Sequence, residues 1–211
     1  MLGAAVSSFA ETGEIETIVI VVPPDSENGE NAAKAALPSD LLEGKNSPAI
    51  HFVPGGKTRR ASVFNALSFL KTLRPAPAFV LIHDGARPWV SSSLIKRIID
   101  EVKKHCAVIP LMPVTETPKE TDAPFDDAGG GAPVFIKRHL RRALVGAAQT
   151  PQAFAFPEIL AAHEKAAVQE NSTGFEFTDD AEVWASFCGP VAAIPGEPEN
   201  RKITFPEDLL C

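Results

Sequence analysis

The 211-residue chain predicts an α/β fold in a single domain, a mostly parallel sheet with flanking helices. Two observations carry this reading. Short apolar runs of strand length alternate with segments of helical period, which is the pattern of βαβ units with right-handed crossovers. A hydrophobic fraction of 45% is also enough for one sizeable core.

The elements follow in order. A short amphipathic stretch, Ala4 to Phe9, precedes the first strand, Thr17–Val22. Ala49–Val53 is a second strand, and it runs into PGGKTRRASVFNAL, Pro54 to Leu67. That segment reads as a turn followed by a helix opening at about Arg60–Ser62, with Val63, Ala66, Leu67 and Leu70 on one face. Ala78–Ile82 is a third strand. Ser91 to Ser93 then offer caps for a helix whose apolar face is Leu94, Ile95, Ile98, Ile99 and Val102. Ala107–Met112 and Val191–Ile194 are further strands, and Pro157–Val168 and Thr178–Phe187 further helices. From Thr117 to Arg142 no clear helix is seen, and the middle reads APFDDAGGGAP; a loop and a projecting hairpin arm fit equally well.

Composition narrows the function. A net charge of −7 disfavours a general nucleic-acid binder, though a local basic pocket for a phosphorylated ligand remains open. Cys106, Cys188 and Cys211 show neither close pairing nor metal-type spacing, so free thiols in a reducing compartment are expected. There is no signal-peptide pattern and no apolar run near the roughly 20 residues of a membrane helix. The expectation is a soluble, cytoplasmic protein with no membrane or nucleic-acid partner.

In such sheets ligands sit beyond the carboxyl ends of the strands. FVLIHDGARP, Phe79 to Pro88, carries Asp84 out of the core at such an end. Two readings fit: a hard oxygen ligand for Mg²⁺ bound to phosphate, or a turn residue pairing with Arg87. His83 beside it reads as a packing or hydrogen-bonding residue. Gly55 and Gly56 permit close backbone approach to a ligand, and Ser62 falls in the first helical turn, within reach of a base edge or phosphate. Basic turns are common, and by themselves Lys57, Arg59 and Arg60 read as solvated residues of an ordinary strand–turn–helix. In AQTPQAF, Gln149, Thr150 and Gln152 read as anchors. In FTDDAEVW, Thr178 reads as the helix N-cap, with Asp179 and Asp180 at the positive end of the helix. In ENRKITFPEDL, Lys202 reads as the end of a strand, able to neutralise a phosphate, and Pro206 as the first residue of a helix.

Taken in order, GGKTRRASVFNAL, HDGARP, PVTETPK, QTPQAF, TDDAEVW and NRKITFPEDL resemble the 2-C-methyl-D-erythritol 4-phosphate cytidylyltransferase family from about Thr17 to Leu209. Ribitol-5-phosphate cytidylyltransferases share much of the set. The resemblance implies a single nucleotidyltransferase domain over residues 1–211, a Rossmann-like sheet with a projecting β-arm at about 117–142. It also implies a homodimer formed by arm exchange. The implied reaction transfers CMP from CTP to a polyol phosphate, with Mg²⁺, in isoprenoid precursor synthesis.

By match of motif, Gly56 and Ser62 would face the cytosine, with Gly55 beside them at the nucleotide. Asp84 would hold Mg²⁺, with Gly85 beside it at the nucleotide. Thr117, Arg142, Thr178 and Lys202 would bind the polyol phosphate, Arg142 and Lys202 being the catalytic cations. Gly85 stands where the family usually has alanine, and Glu116-Thr117-Pro118 replaces an Asp-Thr-aliphatic pattern. The family's opening strand and arginine-bearing Gly-rich loop have no counterpart before Thr17. This gives two further expectations: a start upstream of Met1, or a catalytically silent binding or dimer-partner chain with an exposed sheet centre.

Overall fold

The computed structural model describes residues 1–24, 27–44, 47–124 and 133–209. In chain order the elements are α1 (Leu2–Ala10), β1 (Thr17–Val22), α2 (Glu27–Ala35), α3 (Ser39–Glu43), β2 (Ala49–Pro54), α4 (Arg59–Leu70), β3 (Phe79–Ile82), α5 (Ser92–His105), β4 (Ala107–Pro113), β5 (Lys119–Thr121), β6 (Ile136–His139), β7 (Gly146–Ala148), β8 (Gln152–Ala155), α6 (Glu158–Thr173), α7 (Asp180–Phe187) and β9 (Ala192–Pro195). Short 3₁₀ turns occupy Arg142–Leu144 and Pro206–Leu209.

The fold is α/β with flanking helices. β1 and β2 pair in parallel, and β9 pairs in parallel with β4. β8 runs antiparallel between β3 and β4, so β3, β4 and β9 share one direction with reversed strands among them. The sheet is therefore mixed. β7 also runs antiparallel to β4, and Gln149 to Pro151 part it from β8. Among the described residues β1 and β2 form a ladder of their own, apart from the five-stranded sheet.

The alternation of side chains across the five-stranded sheet builds two cores. On one face Val80 and Phe154 pack with Leu67, Ile159, Leu160 and Trp184, and the Phe154 and Trp184 rings stack 5.6 Å apart. On the other face Leu81, Val108 and Ala153 meet Leu94, Ile95, Ile98, Ile99 and Val102, the stripe the sequence marks on α5. Ser91 caps α5 by accepting from the Leu94 N–H at 3.0 Å. Two helices bridge to the smaller sheet. α4 packs on β1 and β2 and sends Leu67 into the Val80 core. α1 places Val6 against Ile20 and Phe9 against the α5 core.

The irregular segment resolves into a hairpin. β5 and β6 pair antiparallel, with Lys119 opposite His139. Residues 125–132, most of the APFDDAGGGAP stretch, lie outside the described residues. The tip strand is exposed throughout, and Phe135 and Ile136 are 74% and 53% accessible.

The turn from β2 into α4 explains one glycine. A Cβ on Gly56 would stand 2.5 Å from the Ala61 Cβ and 2.9 Å from its carbonyl carbon, whereas a Cβ on Gly85 would meet nothing within 4 Å. The backbone of Gly56 is thus pressed against the first turn of its own helix. Gly56→Ala is expected to lower stability by about 1–3 kcal/mol in chemical denaturation. Gly85→Ala is expected to leave the unfolding midpoint unchanged.

Candidate active site

β3 delivers Asp84 to the carboxyl end of the sheet, and local chemistry fixes it there. The Thr150 hydroxyl accepts the Asp84 N–H at 3.0 Å and lies 3.0 Å from His83 Nδ1. His83 Nε2 in turn lies 3.0 Å from the Arg87 carbonyl, which can only accept. Nε2 of His83 therefore donates, and in the neutral ring Nδ1 accepts from Thr150. The Arg87 N–H closes the turn on the Asp84 carbonyl at 2.9 Å. Burial pushes the His83 pKa down from 6.5 to about 4, against the raising effect of the Arg87 carbonyl and Asp84. The ring also packs edge-on to Phe9, 5.2 Å between centroids. His83 is a hydrogen-bonding residue, as its sequence context suggests.

The Asp84 carboxylate is ringed by cations. Lys202 Nζ and Arg87 Nε lie 3.3 Å and 3.7 Å from Oδ2, and Arg59 Nε lies 3.6 Å from Oδ1. Both readings of Asp84 thus begin from geometry that exists: it pairs with Arg87, and it also faces a cleft of about 190 Å³. Arg59, Thr150, Gln152, Thr178, Asp179 and Lys202 share that cleft.

Each wall is held separately. Asn200, fully buried, donates to the Thr150 carbonyl at 2.8 Å, and its own carbonyl accepts from Arg87 Nη1 at 2.8 Å. Gln149 donates to the Glu197 carbonyl at 2.8 Å and accepts the Glu197 N–H at 3.1 Å. Gln152 donates to Asp179 at 2.8 Å and accepts from the Ala181 N–H at 3.0 Å, tying β8 to the start of α7. The three polar residues of AQTPQAF are anchors for the cleft.

Three local expectations are corrected. The cap of α7 is Asp179, which accepts the Glu182 N–H at 2.8 Å; Thr178 instead donates its N–H and hydroxyl to Glu182, each at 2.8 Å. The longer reach of Glu182 back to residue 178 completes a reciprocal cap one residue later than the sequence suggests. Lys202 is not on a strand, because residues 201–204 lack ladder partners; the Ile203 N–H docks on the Ala86 carbonyl at 2.8 Å and so brings Lys202 to Asp84. α4 also begins at Arg59, capped by Thr58, slightly ahead of the expected start.

Of the sequence-marked residues, Asp84, Thr178 and Lys202 line the cleft. Gly85 is exposed on its loop. Gly55, Gly56 and Ser62 sit at the β2–α4 turn, where the Ser62 hydroxyl accepts the Gly56 N–H at 3.1 Å and donates to the Thr58 carbonyl at 2.9 Å. Within one chain Thr117 and Arg142 are away from the cleft: Thr117 is exposed before β5, and Arg142 donates to the Thr115 carbonyl at 2.8 Å. Sequence reasoning did not single out Arg59, Arg87 or Asn200 as cleft residues. The available signal was their spacing: Arg59 opens a helix, Arg87 closes the Asp84 turn, and Asn200 precedes Lys202 by two.

A larger recess of about 400 Å³ lies at the other end of the sheet, lined by Cys106, Trp184 and Cys188 among others. Both of these cysteines are free and exposed, and Cys211 lies outside the described residues. No described helix is long and apolar enough to cross a membrane.

A carboxylate paired with three cations thus stands beyond the strand ends of an α/β sheet, where such folds hold their ligands. The comparisons give the family. The family model "IspD: 2-C-methyl-D-erythritol 4-phosphate cytidylyltransferase" matches residues 1–211, and the chain belongs to that family. It is 42% identical over 209 residues to the bifunctional enzyme IspD/IspF of Bradyrhizobium sp. (strain ORS 278), covering 98% of this chain and 46% of that protein. The chain thus spans about half the length of the curated relatives it matches. Among solved structures it resembles 4-diphosphocytidyl-2C-methyl-D-erythritol synthase from Anaerococcus prevotii DSM 20548, with TM-score 0.78, 30% identity, and coverage of 99% of this chain and 85% of that one. It also resembles 2-C-methyl-D-erythritol 4-phosphate cytidylyltransferase from Thermus thermophilus, with TM-score 0.65, 28% identity, and coverage of 98% and 83%.

The neutral His83 makes an acid-side prediction. Its folded pKa, about 4, is below the unfolded 6.5, so the unfolded chain binds the proton more readily. The stability this group supports is complete above pH 6.5 and is lost as pH falls toward 4, by about 3 kcal/mol. Urea unfolding at a series of pH values should show that slope, and His83→Gln should flatten it between pH 6.5 and 4. Asp180, held low, contributes its own loss only below the ordinary carboxylate value of 3.8.

Proposed function

We propose that the chain catalyses transfer of CMP from CTP to 2-C-methyl-D-erythritol 4-phosphate, releasing pyrophosphate, as a step in non-mevalonate isoprenoid precursor synthesis. The observation that supports it best is the convergence of Arg59, Arg87 and Lys202 on Asp84 within one cleft of a member of this family. The attacking group is a phosphate monoester dianion, and its target is a polyphosphate. Cations must offset that repulsion and keep the attacking and leaving oxygens in line. No general base is required, because the attacking oxygen is already ionised.

Mg²⁺ fits the donor set. Among the described residues no three His, Cys, Asp or Glu side chains gather to cage a metal, while a single strand-end carboxylate with phosphate oxygens and water is what Mg²⁺ prefers. Asp84 would hold the ion, which when bound neutralises charge on the triphosphate. Lys202 supplies a point charge to phosphate, and Arg142 suits a two-pronged grip. Thr178 stands at the cleft edge for the polyol end, and the Gly55–Gly56 turn with Ser62 would face the cytosine.

Because Arg142 and Thr117 are away from the cleft of their own chain, they would act in a second copy. The exposed Phe135 and Ile136 supply apolar surface for such a homodimer. The cytoplasm is the expected compartment.

Pyrophosphate release from CTP with 2-C-methyl-D-erythritol 4-phosphate tests the reaction. Turnover only with ribitol 5-phosphate would overturn the choice of sugar. Asp84→Asn is expected to lower Mg²⁺-dependent turnover by about 10²–10³, far more than it lowers the melting temperature. A mixing experiment tests the arm. Asp84→Asn and Arg142→Ala are each expected to be poorly active alone. Hybrid dimers built by arm exchange contain one site with neither change, so the mixture regains about a quarter of wild-type activity. No regain would rule out exchange.

A further inference from the structure

Of the three cations around Asp84, Arg59 is fixed from behind. Its Nη2 donates to Asp180 Oδ2 at 2.8 Å while its Nε faces Asp84. Asp180 is 1% exposed, and its Oδ1 lies 3.2 Å from Nε2 of His163, which is fully buried. Burial alone would favour the neutral form of Asp180, but His163 and Arg59 outweigh it and hold the carboxylate ionised. A buried carboxylate stripped of its cation is strongly destabilising, so Arg59 is tied to Asp180. The other two cations have no buried carboxylate behind them. Arg87 otherwise donates to the carbonyls of Asn200 and Ala148, and the Lys202 side chain is 48% exposed. Arg59 is nonetheless open to the cleft, with 39% of its side chain accessible.

We propose that Arg59 is a positioning residue for the divalent ion: its pinned charge keeps a bare cation off Asp84 and admits one that arrives on a polyphosphate. The inference rests on the nucleotide reading above. The physical reason is one of sign. A fixed positive charge within 4 Å of the metal-binding oxygen raises the energy of a lone divalent ion there and lowers that of a polyanion. Metal and nucleotide are thereby coupled through one guanidinium.

The test measures two ligands separately on the full chain. Mn²⁺ alone is titrated by water-proton relaxation, and CTP without metal by calorimetry. Arg59→Gln is expected to bind Mn²⁺ about tenfold more tightly and CTP about tenfold more weakly, while Arg59→Lys stays near wild type for both. A merely structural role would not move the two in opposite directions. If Arg59→Gln fails to fold because Asp180 is left unpaired, Arg59→Gln/Asp180→Asn removes both charges together and should give the same opposed shifts. Shifts in the same direction, or none, in a folded variant overturn the inference and leave the nucleotide reading standing. A wild-type chain that binds no CTP overturns that reading and this inference with it.

Discussion

Asp84 sits where β3 ends, and the cleft is organised around its negative charge. A carboxylate at the edge of a core needs its surroundings fixed before its charge is useful. Here a hydrogen-bond circuit does that: the Asp84 N–H to Thr150, Thr150 to His83, His83 to the Arg87 carbonyl, and the Arg87 N–H back to Asp84. In the neutral imidazole Nδ1 accepts from Thr150 and Nε2 donates to the Arg87 carbonyl. Burial enforces that neutrality. The core packing of His83 against Phe9 and the posture of the acid in the cleft are thus one constraint.

The same constraint explains why residues far apart in sequence meet. Asn200 has no exposed surface and spends its amide on the Thr150 carbonyl, so the loop carrying Lys202 is clamped to the segment that holds Asp84. Gln152 does the equivalent for α7, bringing Asp179 and Thr178 to the opposite wall. Gln149 and Thr150 lie in the break between β7 and β8, where Pro151 cannot donate to a ladder, and Gln152 opens β8. The interruption frees Gln149 and Thr150 to bind two separate loops, and Gln152 reaches a third from the strand.

Much of the scaffold was legible in the sequence because burial writes period into it. The stripe Leu94, Ile95, Ile98, Ile99 and Val102 is the face α5 presents to the sheet, and TIVIVV and FVLI are β1 and β3. Asp84 was legible from its place after a buried strand. What was not legible depends on partners distant in the chain. Arg59 looks like a solvated turn residue until Asp180, 121 residues later, appears beneath it. Asn200 looks like a loop residue until Thr150 covers it. β8 itself was also hidden, since the polar AQTPQAF segment reads as an anchor rather than a strand, and with it the antiparallel pairing that makes the sheet mixed. The misplaced cap at Thr178 arose because Thr178, Asp179 and Asp180 are all plausible caps, and only the reach of Gln152 selects Asp179.

Charge provides the last step. The chain carries a net −7, yet the three side chains that pair with the Asp84 carboxylate are all cationic. Overall acidity therefore says little about what the cleft attracts, because screening at physiological salt confines each charge to about 8 Å. Within that radius the balance is set by Arg59, Arg87 and Lys202 against Asp84 and the acids of the α7 start. Asp179 caps its helix, and Asp180 and Arg59 are set off against each other. Arg87 and Lys202 are then the cations left beside Asp84, whose carboxylate opens on the cleft. An anion that brings its own metal satisfies both signs at once, which neither a free anion nor a free metal ion does.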